Sequence, residues 1–279
     1  MLRIRSDNLE RVGHFAYRDL VRDRVRGPQV VYRTIDILLG RVEGLPCEWS
    51  GLVAMADLQG AAGTLSEPEL PGLEACRHLD ALAAAGAIPP LDEMLALLAG
   101  DFFAHLTLHK RGGGGDATPV WEAAASRFGT VLGVAGNHDR FESVQGAMSP
   151  DVAASELLAH LPNAALVDAD VHEARMVKVG AVCGVIGESH RPFRRSEAEF
   201  LAALERVHAK RPDVMVLHQG PSPEDHHRAS LRLRQACIRH GPRLTIYGHD
   251  KVAASARFEE FDSGAQFLNV CERVVVLVS

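Results

Sequence analysis

Val131-Leu132-Gly133-Val134-Ala135-Gly136-Asn137-His138-Asp139 is an apolar run of strand length that stops at a glycine and releases three metal-binding or proton-transferring side chains at once. Four other stretches repeat the arrangement. Leu52 to Ala56 runs into Asp57-Leu58-Gln59-Gly60, and Met94 to Ala99 into Gly100-Asp101. Val214 to Leu217 runs into His218-Gln219-Gly220, and Leu244 to Tyr247 into Gly248-His249-Asp250. Buried strands that deliver polar groups at their carboxyl ends are the ligand-binding geometry of open α/β sheets. The pattern therefore predicts an α/β fold with one shared centre.

These motifs span residues 57 to 250 of a 279-residue chain, so a domain boundary between them would split the centre. Residues 48–279 are expected to form the site-bearing domain, with residues 1–47 as a helical extension packed on its outside. In that extension Pro28 can open a helix along which Val31, Ile35, Leu38, Leu39 and Val42 recur until Gly44. Its arginines, Arg3, Arg5, Arg11, Arg18, Arg22, Arg24 and Arg26, alternate with Asp7, Glu10, Asp19 and Asp23 and read as a solvated face. A formal charge of −6 argues against a nucleic-acid partner, because backbone binding needs a large positive surface. Five cysteines without a CxxC pair make neither a disulfide framework nor a structural zinc site. No stretch approaches the length of a signal peptide or a membrane span, so the expected location is the cytoplasm.

Between the site strands the chain reads as crossovers. Leu73, Cys76, Leu79 and Leu82 mark a helix before the strand at Met94, which completes a βαβ unit. Thr118 is placed to cap a second helix, with Pro119 at its first position. Lys110-Arg111-Gly112-Gly113-Gly114-Gly115-Asp116 lacks the ending of a nucleotide loop and reads as a flexible segment or lid. Leu157, Leu158 and Leu161 suggest another helix, and Ser196 with Glu199 forms a capping box before Phe200, Leu204 and Val207. A helix is expected from about Glu224 to His240, and Phe267 to Val270 with Val274 to Val278 reads as a closing hairpin.

The gathered donors are the carboxylates of Asp57 and Asp101, the amide oxygen of Asn137 and the imidazoles of His218 and His249. Mixed oxygen and nitrogen ligation suits a divalent transition metal, with manganese first and iron(II), zinc or nickel as alternatives. If one carboxylate is shared, two ions a few Å apart can be held, the geometry that hydrolyses phosphate esters. His138 would then be free to move a proton, with Asp139 available to orient its ring. His105, Arg140 and the loop His190-Arg191-Pro192-Phe193-Arg194-Arg195 follow site strands and could hold a phosphate, with His190 and Arg191 the foremost candidates of the loop. His226-His227-Arg228 reads as surface.

Asp57-x-Gln59, Gly100-Asp101, Gly136-Asn137-His138-Asp139, His218 and Gly248-His249, in that order, resemble the signature of the calcineurin-like metallophosphoesterase superfamily. The resemblance implies an α/β sandwich of two mixed β-sheets packed face to face with helices outside and a dinuclear site at their strand ends. It implies Asp101 as the bridging ligand, with Asn137, His218 and His249 completing one metal site and Asp57 and Gln59 in the other. His138 becomes the general acid or a phosphate contact.

Two positions depart from that signature. Gln59 stands where the family usually has histidine, and its neutral amide is a weaker donor than imidazole. Lys251 stands where many members have a second histidine, and a protonated lysine cannot ligate. Lys251 could instead neutralise Asp57 and Asp101, contact a substrate phosphate or point to solvent. The arginine of the family's Gly-Asp-x-x-Asp-Arg motif is missing, since Ala104 and His105 occupy that region. One tight ion and a weaker second are therefore expected. The function implied is hydrolysis of a phosphorylated small molecule or other phosphoester by metal-activated water. The alternative is a metal-binding sensor or interaction protein that keeps the fold and has lost turnover.

Overall fold

The apolar runs that end in polar motifs become strands of two sheets. In this computed structural model the described residues are 2–5, 9–23, 25–109, 113–141, 160–223, 230–253 and 257–279. In chain order the strands of the main sheets are β1 (Arg3–Ile4), β2 (Glu10–Asp23), β3 (Gly27–Glu43), β4 (Gly51–Ala56), β5 (Met94–Leu98), β6 (Thr130–Gly133) and β7 (Ala164–Leu166). They continue with β8 (Asp170–Ala174), β9 (Val177–Val182), β10 (Val214–Gln219), β11 (Leu244–Gly248), β12 (Phe258–Glu260), β13 (Gln266–Asn269) and β14 (Arg273–Val278). One sheet has eight strands in the order β1-β3-β14-β4-β5-β6-β7, with β2 also on β3; the other has six, in the order β8-β9-β10-β11-β13-β12.

Runs β4 to β7 and β9-β10-β11-β13 are parallel within their sheets. Residues along each strand face alternate sides, and the packing follows that alternation. Val214 and Val216 of β10 join the main core cluster with residues of the larger sheet such as Leu52, Val53 and Leu97, whereas Met215 and Leu217 pack outward. That outer face is covered by α3 (Glu197–Ala209) and α4 (Leu231–His240) through Phe200, Leu204, Val207, Leu233 and Cys237. On the other sheet, α1 (Pro71–Ala84) and α2 (Thr118–Ala125) contribute Cys76, Leu79, Val120 and Trp121. The result is the two-sheet sandwich with helices outside. The capping box of α3 forms as expected, with Ser196 N donating to Glu199 at 2.8 Å and Glu199 N to Ser196 Oγ at 3.3 Å.

The first 47 residues depart from expectation. The segment expected as a helix from Pro28 to Gly44 is strand β3, which forms a long antiparallel hairpin with β2 from Glu10↔Leu39 to Asp23↔Gly27. Val30, Val31, Thr34, Ile35, Ile37 and Val42 are β-branched and favour the pleated surface, and the helical spacing is coincidental. Asp36 to Arg41 of β3 pair with β14, and Leu2, Ile4, Phe15, Tyr17, Ile35 and Ile37 lie in the main core. This part of the chain is therefore woven into the larger sheet, and it is not a helical extension on the outside.

The closing hairpin is also absent. β13 belongs to the six-stranded sheet and β14 to the eight-stranded one, so the chain crosses between layers at Cys271-Glu272, where Glu272 takes φ +54°. Thr118 does not cap α2 but is its first residue, with its N–H taken by Asp116 Oδ1 at 2.9 Å. α4 starts at Leu231, capped by Ser230, whose Oγ accepts from Leu233 N at 3.2 Å. Residues 224–229, including His226-His227-Arg228, lie outside the described residues, as do Leu157, Leu158 and Lys110-Arg111-Gly112. Of the glycine-rich stretch, Gly115–Asp116 forms a two-residue parallel bridge with Asp139–Arg140, which ties it to the loop carrying His138.

Candidate metal centre

The carboxyl ends of β4, β5 and β6 from one sheet meet those of β10 and β11 from the other. There, single donor atoms of Asp57, Asp101, His218 and His249 all lie within 4.8 Å of one another. The last strand residues hold the chain while the next residue turns sharply. Asp57, Asp101 and His249 adopt φ of 56°, 60° and 64°, a region that costs an L-residue strain and that aspartate and histidine tolerate better than most. The motif glycines permit close approach. A Cβ on Gly136 would collide with the Asp101 carboxylate, and one on Gly248 with that of Asp57.

Backbone amides then orient the carboxylates. Asp57 Oδ2 accepts from His249 N at 2.7 Å, and Asp101 Oδ1 from His138 N at 2.8 Å. His218 Nδ1 lies 2.8 Å from the Ala99 carbonyl, an acceptor only, so Nδ1 carries the proton and Nε2 presents its lone pair in the neutral ring. That Nε2 is buried, has no hydrogen bond and stands 3.3 Å from Asp101 Oδ2. The side-chain oxygen of Asn137 is likewise buried without a partner. Such groups carry a desolvation cost unless something binds them. The rings of His218 and His249 meet edge to face, with centroids 5.0 Å apart.

Charge in the centre is strongly coupled to burial. Burial pushes Asp57 up to about 7 against the pull of His218. Burial would also raise Asp101, but the imidazoles of His218 and His138 outweigh it and hold its carboxyl below the usual range. Burial disfavours a charged His218, yet Asp101 and Asp57 overcome this and raise it to about 10. A proton on His218 thus does for the carboxylates what a cation can do better. Two carboxylates, two imidazoles and an orphaned amide oxygen fit a divalent transition metal.

Asp139 has a different place from the one expected. It is fully buried, and its carboxylate accepts from Asp101 N at 2.7 Å, Gly136 N at 2.8 Å and Phe102 N at 2.8 Å. Burial, and then the neighbouring Asp101, raise its pKa. With its oxygens accepting from three amides, Asp139 clamps the β5 and β6 loops together, and among the described residues no hydrogen bond joins it to the His138 ring.

Two recesses border the centre. One, a cleft of ≈ 570 Å³, is lined by Asn137, His138 and His249 together with Val185, Ile186, Arg194, Glu197, Gln219 and Ser230. The other is smaller and contains Gln59, His105, Lys251, Glu272 and Asp19. In it Lys251 pairs with Glu272, which also accepts from the Tyr17 hydroxyl at 3.4 Å; the lysine answers Glu272, where the sequence offers Asp57 and Asp101, substrate or solvent. His105 packs against Phe103 and His109, with centroids 5.4 and 4.7 Å away.

Of the other expected phosphate contacts, Arg194 of the 190–195 loop lines the cleft, whereas His190, Arg191 and Arg140 are not brought to either recess. His190 and Arg191 are exposed and lie 3.8 and 3.0 Å from Glu188. Arg140 turns back to the Asp139 carbonyl and lies beside Gly114. Two residues that line the recesses carry no individual sequence signal. Glu272 lies beyond the last motif, and Arg194 is one cation in a basic loop.

The calcineurin-like phosphoesterase profile matches residues 52–253. No curated protein matches the chain. A solved crystal structure 14% identical aligns over 79% of this chain and 90% of its own with a TM-score of 0.53. TT1561 of Thermus thermophilus is 15% identical over 82% of this chain and 88% of its own, with a TM-score of 0.49. Phosphopantetheinyl hydrolase (PptH) from Mycobacterium tuberculosis is 15% identical over 79% and 88%, with a TM-score of 0.44. With the family signature running through more than half its length, from the first site strand to beyond the last, the chain belongs to the calcineurin-like phosphoesterase family.

Proposed function

We propose that this protein is a metal-dependent phosphoesterase that hydrolyses a phosphorylated small molecule in the cleft beside the centre. The observation that carries the reading is the convergence of Asp57, Asp101, His218 and His249 donors within 4.8 Å, beside the orphaned oxygen of Asn137. Asp101, Asn137, His218 and His249 would hold the tighter ion, with Asp101 shared and Asp57 and Gln59 holding a weaker second. Manganese is the first choice, with iron(II), zinc or nickel as alternatives. Bound ions of this kind supply Lewis acidity, which lowers the pKa of a water and withdraws charge from phosphoryl oxygens.

The chain's own groups supply the rest. The His138 backbone is anchored on Asp101, and the residue lines the cleft and makes no ion pair among the described residues. Attack of water forms a new P–O bond and gives up one of the water's protons to solvent, the ester P–O bond breaks, and the leaving oxygen takes the electron pair and a proton from His138, which solvent then reprotonates. The Asp139 clamp fixes the loops that carry Asp101 and Asn137. Pairing of Lys251 with Glu272 leaves Asp57 and Asp101 without the lysine charge, which favours a cation there.

No described helix is long and apolar enough to cross a membrane. All five cysteines are free, which supports a reducing compartment, and we place the protein in the cytoplasm on that ground. The test is turnover of a phosphoester panel by manganese-loaded protein, its loss on chelation, and its loss in Asp101→Asn and His249→Ala. Metal bound without hydrolysis of any ester would favour the sensor.

A further inference from the structure

The cleft that contains His138 also contains one uncommitted guanidinium. Arg194 lies in a two-residue strand, Arg194–Arg195, paired in parallel with Val185–Ile186. Both flanks are fixed. Phe193 packs edge-on against Phe141 with centroids 6.5 Å apart, and Arg195 donates to the Cys183 carbonyl at 2.8 Å and to Asp168 at 2.6 Å. The Arg194 side chain runs past Gly187, with Nη1 3.2 Å from where a Cβ would stand. Among the described residues it makes no ion pair, although most cations near the centre have a committed partner. Lys251 is on Glu272, Arg191 on Glu188, and Arg140 on a backbone carbonyl. Glu197, the one carboxylate among the described residues that line the cleft, is held by Ser230 at 2.7 Å and Arg232 at 3.3 Å.

A guanidinium with a fixed backbone, a free head and a place in the same cleft as His138, Asn137 and His249 is a ready contact for phosphoryl oxygens. We propose that Arg194 binds the non-reacting oxygens of the substrate phosphate and makes the enzyme selective for phosphomonoesters over phosphodiesters. A monoester dianion gains more from this contact than a diester monoanion does. The inference deepens the phosphoesterase reading and rests on it for the word substrate, but anion binding can be measured without turnover.

The experiment uses manganese-loaded full chain as wild type, Arg194→Ala and Arg194→Lys. Inorganic phosphate binding is measured by calorimetry, and kcat/KM for nitrophenyl phosphate and bis(nitrophenyl) phosphate by absorbance. Arg194→Ala should weaken phosphate at least about 10-fold, as loss of a charge-assisted contact does. It should raise KM for the monoester and lower the monoester kcat/KM by about 10²-fold, with a clearly smaller loss on the diester. Arg194→Lys should recover part of the loss. Unchanged phosphate affinity, or equal losses on monoester and diester, would overturn the assignment. A wild type that binds manganese and hydrolyses neither ester would defeat the phosphoesterase reading alone, and phosphate binding by the two variants would still decide the role of Arg194.

Discussion

Asp57 Oδ2 accepts the backbone N–H of His249 at 2.7 Å and so locks together two residues 192 positions apart. The bond aims a buried carboxylate at the centre, where burial raises it to about 7. Its folded value lies above the ordinary 3.8, so its contribution to stability is full below that value and is lost as pH rises through about 7. His218, raised from 6.5 to about 10, loses its contribution over that higher window. Asp101 acts oppositely, but only where pH falls through its lowered value. Metal requires all of these groups deprotonated and replaces the lost protons. The melting temperature of chelated protein should therefore fall from about pH 5 to about pH 9, and the gain on adding manganese should widen over that range. Thermal denaturation with and without metal across pH checks this, and a gain that does not vary with pH would rule it out.

Asp139 is expected to be a stability residue. Asp139→Asn places an NH₂ among three amide donors and should cost about 3 kcal/mol, since a buried charge-assisted network is broken. Metal affinity should drop with it, because Asp101 and Asn137 ride on the clamped loops. The check is denaturant unfolding beside metal titration. A variant that melts normally, keeps its metal and is merely slow would return Asp139 to the role of orienting His138.

The strand ends are legible in the sequence because each couples an apolar run to a polar group at one position, a local signal. Asp57, Asp101, Asn137, His218 and His249 are all readable that way. What Asp139 does is not legible, because its partners are backbone amides that only the folded loops bring together. The β2–β3 hairpin is hidden because Val31, Ile35, Leu38 and Val42 satisfy helical spacing while their neighbours satisfy alternation, and strand pairing with β14 decides the matter. The pairing of Lys251 with Glu272 depends on the crossover between sheets at residues 271–272, which in sequence looks like a hairpin turn.

His138→Ala should retain metal and lose rate by about 10²–10⁴-fold, the span of a general acid. Its ring makes no ion pair among the described residues, and its backbone N–H to Asp101 survives the substitution. A leaving group of low pKa needs no proton and should rescue the variant, so nitrophenyl and alkyl phosphates should separate in single-turnover assays. Equal losses on both would make His138 a binding residue instead.

Occupancy of the proposed second metal position should turn on Gln59. On the proposed assignment the tighter position would draw on Asp101, Asn137, His218 and His249, two of them imidazoles, whereas the other would have Asp57, shared Asp101 and a neutral amide. Lys251 lines the same recess as Gln59, and although Glu272 takes its charge, the pair as a whole offers no lone electron pair from nitrogen to a metal. Dialysed wild type should accordingly keep one ion, with a second binding only at high manganese. Gln59→His should keep two and raise turnover at low metal. Lys251→Met should change stoichiometry much less than Gln59→His, because the lysine charge is already answered by Glu272. Elemental analysis after dialysis, with activity followed against added manganese, measures all three. Two ions retained by the wild type would make Gln59 an adequate ligand, and a second ion gained by Lys251→Met would show that the lysine charge, through its ion pair, had been excluding the metal.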